Sequence, residues 1–148
     1  MKVQIVTPYL VCLCALFMTF LDRFLPLAEI FPFPYNLVGI LVLGPSLGIT
    51  ITGVGVIRRS ATTLHTFKQP LTLITDGPYH YSRNPIYLGL LMGLIGFWFL
   101  LGSLSPLIFI VVFFSVSNYW YIPTEERMLT ARFGATYRTY QNHVRRWL

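Results

Sequence analysis

The chain has 148 residues, 55% hydrophobic and 11% charged, with a mean hydropathy of +0.63 and a formal net charge of +6. An ordinary soluble domain carries roughly a quarter charged residues, so a water-soluble fold would have no way to hide this much apolar surface. The positive balance does not point to nucleic acid, because the basic residues flank apolar segments and form no recognised binding motif; an anionic membrane surface is the better partner.

Residues 3–21 form an apolar run without a charge. At about 1.5 Å per residue it reaches across a hydrocarbon core about 30 Å thick. It is longer than the apolar part of a signal peptide, and Asp22-Arg23 follows it instead of a small-residue cleavage site, so it reads as the first transmembrane helix. Cys12 and Cys14 lie inside this run, with no distant partner for a disulfide and no further zinc ligands nearby. The 24–35 stretch holds Pro26, Pro32 and Pro34, which remove backbone donors and fix φ, and reads as an interfacial connection.

Residues 37–57 make the second span. It carries Gly44-x-x-x-Gly48, with Gly39, Gly53 and Gly55 nearby, a spacing that lets helix backbones approach in a membrane. The 58–84 segment is the longest polar stretch and leaves the hydrocarbon region. Asn84-Pro85 then reads as an N-cap followed by proline at the first helical position, opening a third span over 85–101 that carries Gly89-x-x-x-Gly93. A turn at 102–105 leads into the fourth span, 104–122, which Pro123 and Thr124 are expected to end or kink. Beyond it, Leu129, Phe133, Tyr137, Tyr140, Val144 and Trp147 recur at steps of three or four among Arg127, Arg132, Arg138, Arg145 and Arg146. That pattern describes an amphipathic interfacial helix, with an interruption at Gly134.

The expected fold is a single all-α polytopic membrane domain over 1–148, with four transmembrane helices and a C-terminal amphipathic helix. Ten of the eleven Lys and Arg residues fall at Lys2, in 58–84, or in 123–148, leaving only Arg23 elsewhere. By the positive-inside rule both termini and these two segments are cytoplasmic, and the 24–35 and 102–105 connections are outside.

This topology brings two polar regions to one face beside the helix 3 and helix 4 hairpin. One ends Gly77-Pro78-Tyr79-His80-Tyr81-Ser82-Arg83-Asn84-Pro85-Ile86-Tyr87-Leu88-Gly89; the other holds Glu125-Glu126-Arg127 and Arg132-Phe133-Gly134-x-x-Tyr137-x-x-Tyr140. Each residue alone also has a plainer reading. Gly77-Pro78 serves as a turn, the tyrosines as interfacial belt aromatics, Glu125 and Glu126 as first-turn acids complementing a helix dipole, and Arg83 and Arg127 as lipid-phosphate ligands. His65, His80 and His143 lack metal-ligand spacing, and no metal is expected.

Taken together, the two blocks resemble the isoprenylcysteine carboxyl methyltransferase and phospholipid methyltransferase superfamily of membrane enzymes. The shared pattern is Gly-Pro-Tyr, then Arg-(His or Asn)-Pro-x-Tyr-x-Gly, then Glu-Glu before Leu-x-x-x-Phe-Gly-x-x-Tyr-x-x-Tyr, and here it covers residues 72–146. The resemblance implies S-adenosylmethionine bound without a Rossmann fold. The matching cofactor positions are Leu71, Thr72, Leu73, Ile74, Tyr79, Asn84, Pro85, Ile86, Tyr87 and Glu125. The open start of helix 3 would face the donor's carboxylate, Glu125 its amino group, and tyrosines its adenine or sulfonium.

The chain also departs from the prenylcysteine enzymes. Asn84 stands where they have His, and Tyr121 where they place an arginine proposed to hold the acceptor carboxylate. It ends at Leu148, before the family's usual proline-containing end, and has four expected spans where relatives have five or more.

The expected activity is therefore methyl transfer to a lipophilic small molecule entering from the bilayer, an isoprenylcysteine-like carboxylate or another lipid. Arg83 and Arg127 are the candidate catalytic residues and Tyr121 and Arg127 the candidate acceptor contacts. The alternatives are a phospholipid amine N-methyltransferase, a sterol-type membrane reductase, or a non-enzymatic lipid-binding scaffold.

Overall fold

The four apolar runs fold as helices, and their faces are set by where the small and large residues fall. The computed structural model describes residues 3–60 and 72–148. In chain order, α1 is Val3–Phe24, α2 Val38–Arg59, α3 Pro85–Leu101, α4 Leu107–Val116, α5 Ile122–Phe133 and α6 Ala135–His143. A π-helical turn, Ser117–Tyr121, joins α4 to α5, so 107–133 is one continuous rod. Among the described residues three helices, Thr7–Phe24, Tyr35–Arg59 and Leu107–Phe133, are long and apolar enough to cross a membrane, and α3 is a shorter apolar helix of 17 residues. The protein is an all-α polytopic membrane protein.

The π turn corrects one expectation. Pro123 neither ends nor breaks the fourth span. It has no N–H to give an α-helical bond, and the turn before it is already widened, with Ile122 N–H donating five residues back to the Ser117 carbonyl. The rod then runs on to Phe133. Gly134, at φ 52° and ψ −118°, separates α5 from α6, the interruption expected there.

Helices α2 and α3 pack most closely, and small residues allow it. The Ser46 hydroxyl donates to the Gly89 carbonyl at 2.8 Å. A Cβ at Gly39 would collide with the Gly96 carbonyl, and one at Gly89 with the Thr50 hydroxyl. The contact positions on α2 are Gly39, Ser46 and Gly53, two helical turns apart. Gly44 and Gly48 point the other way, into open space. The close-packing face of the second span is therefore not its Gly-x-x-x-Gly pair, whereas Gly89-x-x-x-Gly93 of the third span is used and is extended by Gly96.

Helix α1 lies against α3 and α4. Cys14 and Met18 of α1, Tyr87 and Leu94 of α3, and Ile110, Phe113, Tyr121 and Ile122 of the long rod form one buried cluster. At one end of the bundle the proline-rich connection is sewn to the turn after α3. Ile30 and Phe31 N–H donate to the Gly102 carbonyl at 2.8 and 3.0 Å, and the Ser103 hydroxyl donates to Asp22 Oδ1 at 2.6 Å. Residues 28–31 and 102–104 thus share one end, as an alternating four-span topology requires.

Candidate functional site

The opposite end of the bundle carries the polar residues. Helix α3 starts at Pro85, with Asn84 in the N-cap position at φ −132° and ψ 54°. The expected cap is absent: the Asn84 side-chain amide donates to the Arg146 carbonyl at 3.0 Å, and no side chain among the described residues caps the helix. Instead, Asn84 N–H donates to the Ser82 hydroxyl at 3.2 Å. Since Pro85 has no N–H, the uncapped donors at the positive end of α3 are those of Ile86 and Tyr87.

One turn in, the Tyr87 hydroxyl donates to Glu125 Oε1 at 2.8 Å and is also hydrogen-bonded by Thr7 of α1. Tyr121 stands one turn before Glu125, its ring 6.5 Å from that of Tyr87. Tyr79 completes the group. Burial first, then the Glu125 carboxylate and Tyr140, push its phenol well above the usual tyrosine range. The Tyr140 hydroxyl donates to the Tyr79 carbonyl, and burial pushes that phenol up to about 12 against the opposing pull of Arg83.

Beyond Tyr140 opens a cleft of about 690 Å³ between the 73–80 segment and α6, lined by Leu73, Thr75, Asp76, His80, Thr139 and His143 among others. Its volume falls within the usual range for small-molecule sites.

The neighbouring Glu126 faces a different set of residues. Arg83 Nη2 lies 2.9 Å from Glu126 Oε1, an ion pair without hydrogen-bond alignment, and Arg146 Nη2 donates to Oε2 at 2.7 Å. The Arg83 and Glu126 side chains are only 11% and 12% exposed, so this cluster is interior, not a lipid-phosphate contact.

The structure therefore gathers Tyr79, Asn84, Pro85, Ile86, Tyr87, Tyr121 and Glu125 at the junction of α3 and the long rod. Leu73 and Ile74 are half-buried in the approaching segment, Thr72 is exposed, and Leu71, like His65, lies outside the described residues. Arg83 is turned into the Glu126 ion pair. Arg127 is not brought in: it is exposed on α5, two residues and so about 200° around the helix from Glu125.

A model of the phospholipid methyltransferase family matches residues 35–136. The chain belongs to the phospholipid methyltransferase family. It is also 41% identical over 76 residues to the protein-S-isoprenylcysteine O-methyltransferase of Schizosaccharomyces pombe (strain 972 / ATCC 24843), a match covering 49% of this chain and 30% of that protein. An uncharacterized protein of Haemophilus influenzae is 38% identical over 63 residues, 43% of this chain and all of that protein. The chain thus spans less than a third of the length of the yeast enzyme it matches. No solved structure matches it.

In this member of the phospholipid methyltransferase family, three participants escaped the sequence reading. Thr7 and Asn118 lie inside apolar spans, where a polar residue is itself a signal of function. Arg146 stood within the recognised motif but read as one of the positive charges of an amphipathic interfacial helix.

Proposed function

We propose that this protein transfers a methyl group from S-adenosylmethionine to a lipophilic acceptor at the cytoplasmic face of the membrane. The observation that carries this reading is the Tyr87–Glu125 hydrogen bond beside the uncapped start of α3. A carboxylate hydrogen-bonded to the Tyr87 side chain, together with the open backbone donors of Ile86 and Tyr87, matches the amino and carboxyl groups of an amino-acid-bearing donor. Tyr79 offers an aromatic face to a cation, and the cleft beside Tyr140 has room for a nucleoside.

When bound, S-adenosylmethionine supplies a methyl group already activated on a sulfonium. The protein's own work is then orientation and exclusion of water, which alone can lower a barrier substantially. Glu125 holds the donor's amino group, with Tyr87 and Thr7 fixing the carboxylate in place. Tyr121 meets the acceptor from the bilayer side as a neutral hydrogen-bond donor. Arg83 acts from behind this group, through Glu126, and Arg127 contacts the acceptor's polar end only where the acceptor reaches around α5.

For the acceptor, the yeast relative supports a prenylcysteine carboxylate, and the family match together with Tyr121 favours an amine-bearing phospholipid as the second reading. An amine would first have to lose a proton. Methyl transfer from labelled donor to a prenylcysteine and to an amine phospholipid, in wild type, Tyr121→Arg and Arg127→Ala, separates them. Tyr121→Arg is expected to favour the carboxylate acceptor without changing donor affinity. With Tyr121 in place of a carboxylate-binding arginine, activity on a simple prenylcysteine is expected to be poor unless Arg127 substitutes. Efficient wild-type methylation that Arg127→Ala leaves intact would therefore overturn the roles given to Tyr121 and Arg127 and leave the methyltransferase reading standing.

A further inference from the structure

The residues after α6 cross back over the start of α3 and are tied there on three sides. Val144 is buried and extended, at φ −121° and ψ 130°. The first tie is to the loop before α3: Arg83 N–H donates to the Arg145 carbonyl at 3.0 Å, and the Asn84 amide and Ser82 hydroxyl donate to the Arg146 carbonyl at 3.0 and 3.4 Å. The second is to α5, where Arg146 holds Glu126 Oε2 at 2.7 Å while Arg83 stands against Oε1. The third is to the π turn, whose Asn118 Oδ1 accepts from Trp147 Nε1 at 3.1 Å and from Arg146 Nη1 at 3.5 Å. The Trp147 ring packs on Phe114 with centroids 5.2 Å apart.

We infer that Arg146 is a positioning residue that keeps the start of α3 in register with the turn of α5 carrying Glu125. The inference rests on the donor site read above. Glu125 and Glu126 are adjacent in one helical turn, so clamping the Glu126 carboxylate fixes the rotation of α5 and with it the direction of Glu125. At the other end, the Arg146 carbonyl anchors Asn84, the residue before Pro85. One residue thus grips both halves of the site from behind without touching the Tyr87–Glu125 bond. Arg145, Arg146 and Trp147 lie beyond position 136, where the family match ends, while the residues they hold lie within it. If Arg146 is removed, Glu126 keeps Arg83 as an ionic partner, so the fold retains a counter-charge while the register loosens.

The test uses the full chain in detergent, as wild type, Arg146→Ala, Arg146→Lys and the exposed control Arg138→Ala. Two quantities are read: hydrogen exchange over residues 82–88, and the dissociation constant for S-adenosylmethionine. Arg146→Ala is expected to speed exchange locally and to weaken donor binding by roughly tenfold, the scale of one lost charge-assisted hydrogen bond, while the acceptor KM stays within about twofold. Arg146→Lys should recover most of both effects, and Arg138→Ala should show neither.

Unchanged exchange over 82–88 in Arg146→Ala overturns the inference, and so does a rise spread evenly over every helix, which marks general destabilisation. If exchange rises locally but no variant, wild type included, binds the donor, the clamp stands and the donor reading falls. Should Arg146→Ala not fold, Asn118→Ala, which loses only the third tie, carries the same test: a smaller local rise supports the clamp and none overturns it.

Discussion

The Tyr87 hydroxyl and the Glu125 carboxylate meet at 2.8 Å, joining the first turn of α3 to the first turn of α5 across the bundle. Thr7 of α1 joins the same hydroxyl, so three helices meet at the Tyr87 hydroxyl. The adjacent Glu126 points into a separate, largely buried arginine pair. Two neighbouring glutamates therefore have separate partners, and we assign Glu125 to the proposed donor and Glu126 to the fold.

That separation gives the first prediction. Glu125→Gln should weaken binding of S-adenosylmethionine by about 1.5–3 kcal/mol, the range for a hydrogen bond to a charged group, with little change in Tm. Glu126→Gln should instead destabilise by about 3 kcal/mol, because it leaves two arginines facing a neutral amide. Parallel thermal melts and donor titrations check this. Equal effects on both quantities would mean that Glu125 serves only the helix dipole.

The second prediction concerns the α2–α3 contact. Gly39→Ala and Gly89→Ala place a methyl against a carbonyl and a hydroxyl on the facing helix. Each should cost about 1–3 kcal/mol, the usual scale of overpacking. Gly44→Ala and Gly48→Ala meet nothing within 4 Å and should be neutral or stabilising by up to about 1 kcal/mol through helix propensity. Melting curves of the four variants decide whether this face is the packed one.

Much of the fold was legible because hydropathy in lipid is a strong constraint: each of the four apolar runs folds as a helix that begins close to where the sequence placed it, though the fourth continues to Phe133. The packing face of α2 was not legible, since Gly39, Ser46 and Gly53 show no Gly-x-x-x-Gly pattern and only the partner helix selects them. Pro123 misled for a related reason. A proline lacks a helical donor but need not end a helix: α1 and α2 continue through Pro8 and Pro45, and the long rod passes Pro123 after a π turn whose Asn118 and Tyr121 have tertiary partners. At the site, Tyr79, Tyr87 and Glu125 came from the motif. The division between Glu125 and Glu126 did not, because adjacent acids look alike until the residues opposite them are known.

The third prediction is alkaline. Tyr137 and Tyr140 are both pushed up to about 12, in each case first by burial, with the Glu126 carboxylate adding to the effect on Tyr137. An unfolded chain begins to lose these protons near the ordinary tyrosine value of 10.0, so above that pH it binds fewer protons than the folded state. Their contribution to stability is complete below pH about 10 and is lost as the pH rises toward about 12. Tm followed across this window should fall less steeply in Tyr140→Phe than in wild type. An identical slope would show that the Tyr140 phenol is not held neutral by its surroundings.

The fourth prediction is topological. In a background with Cys12 and Cys14 replaced, Ile30→Cys should react with an impermeant thiol reagent from outside, and Asn142→Cys only after the inner face is exposed. Labelling of both from one side would remove the four-span arrangement on which the position of the site depends.

The central claim, that the junction of α3 and α5 binds a methyl donor, is tested most directly by titrating the detergent-purified chain with S-adenosylmethionine and, separately, with a reduced nicotinamide dinucleotide. The account predicts saturable binding of S-adenosylmethionine that Glu125→Gln weakens by roughly tenfold or more, and no saturable binding of the dinucleotide. Saturation by the dinucleotide alone, or S-adenosylmethionine binding that Glu125→Gln leaves unchanged, would contradict it.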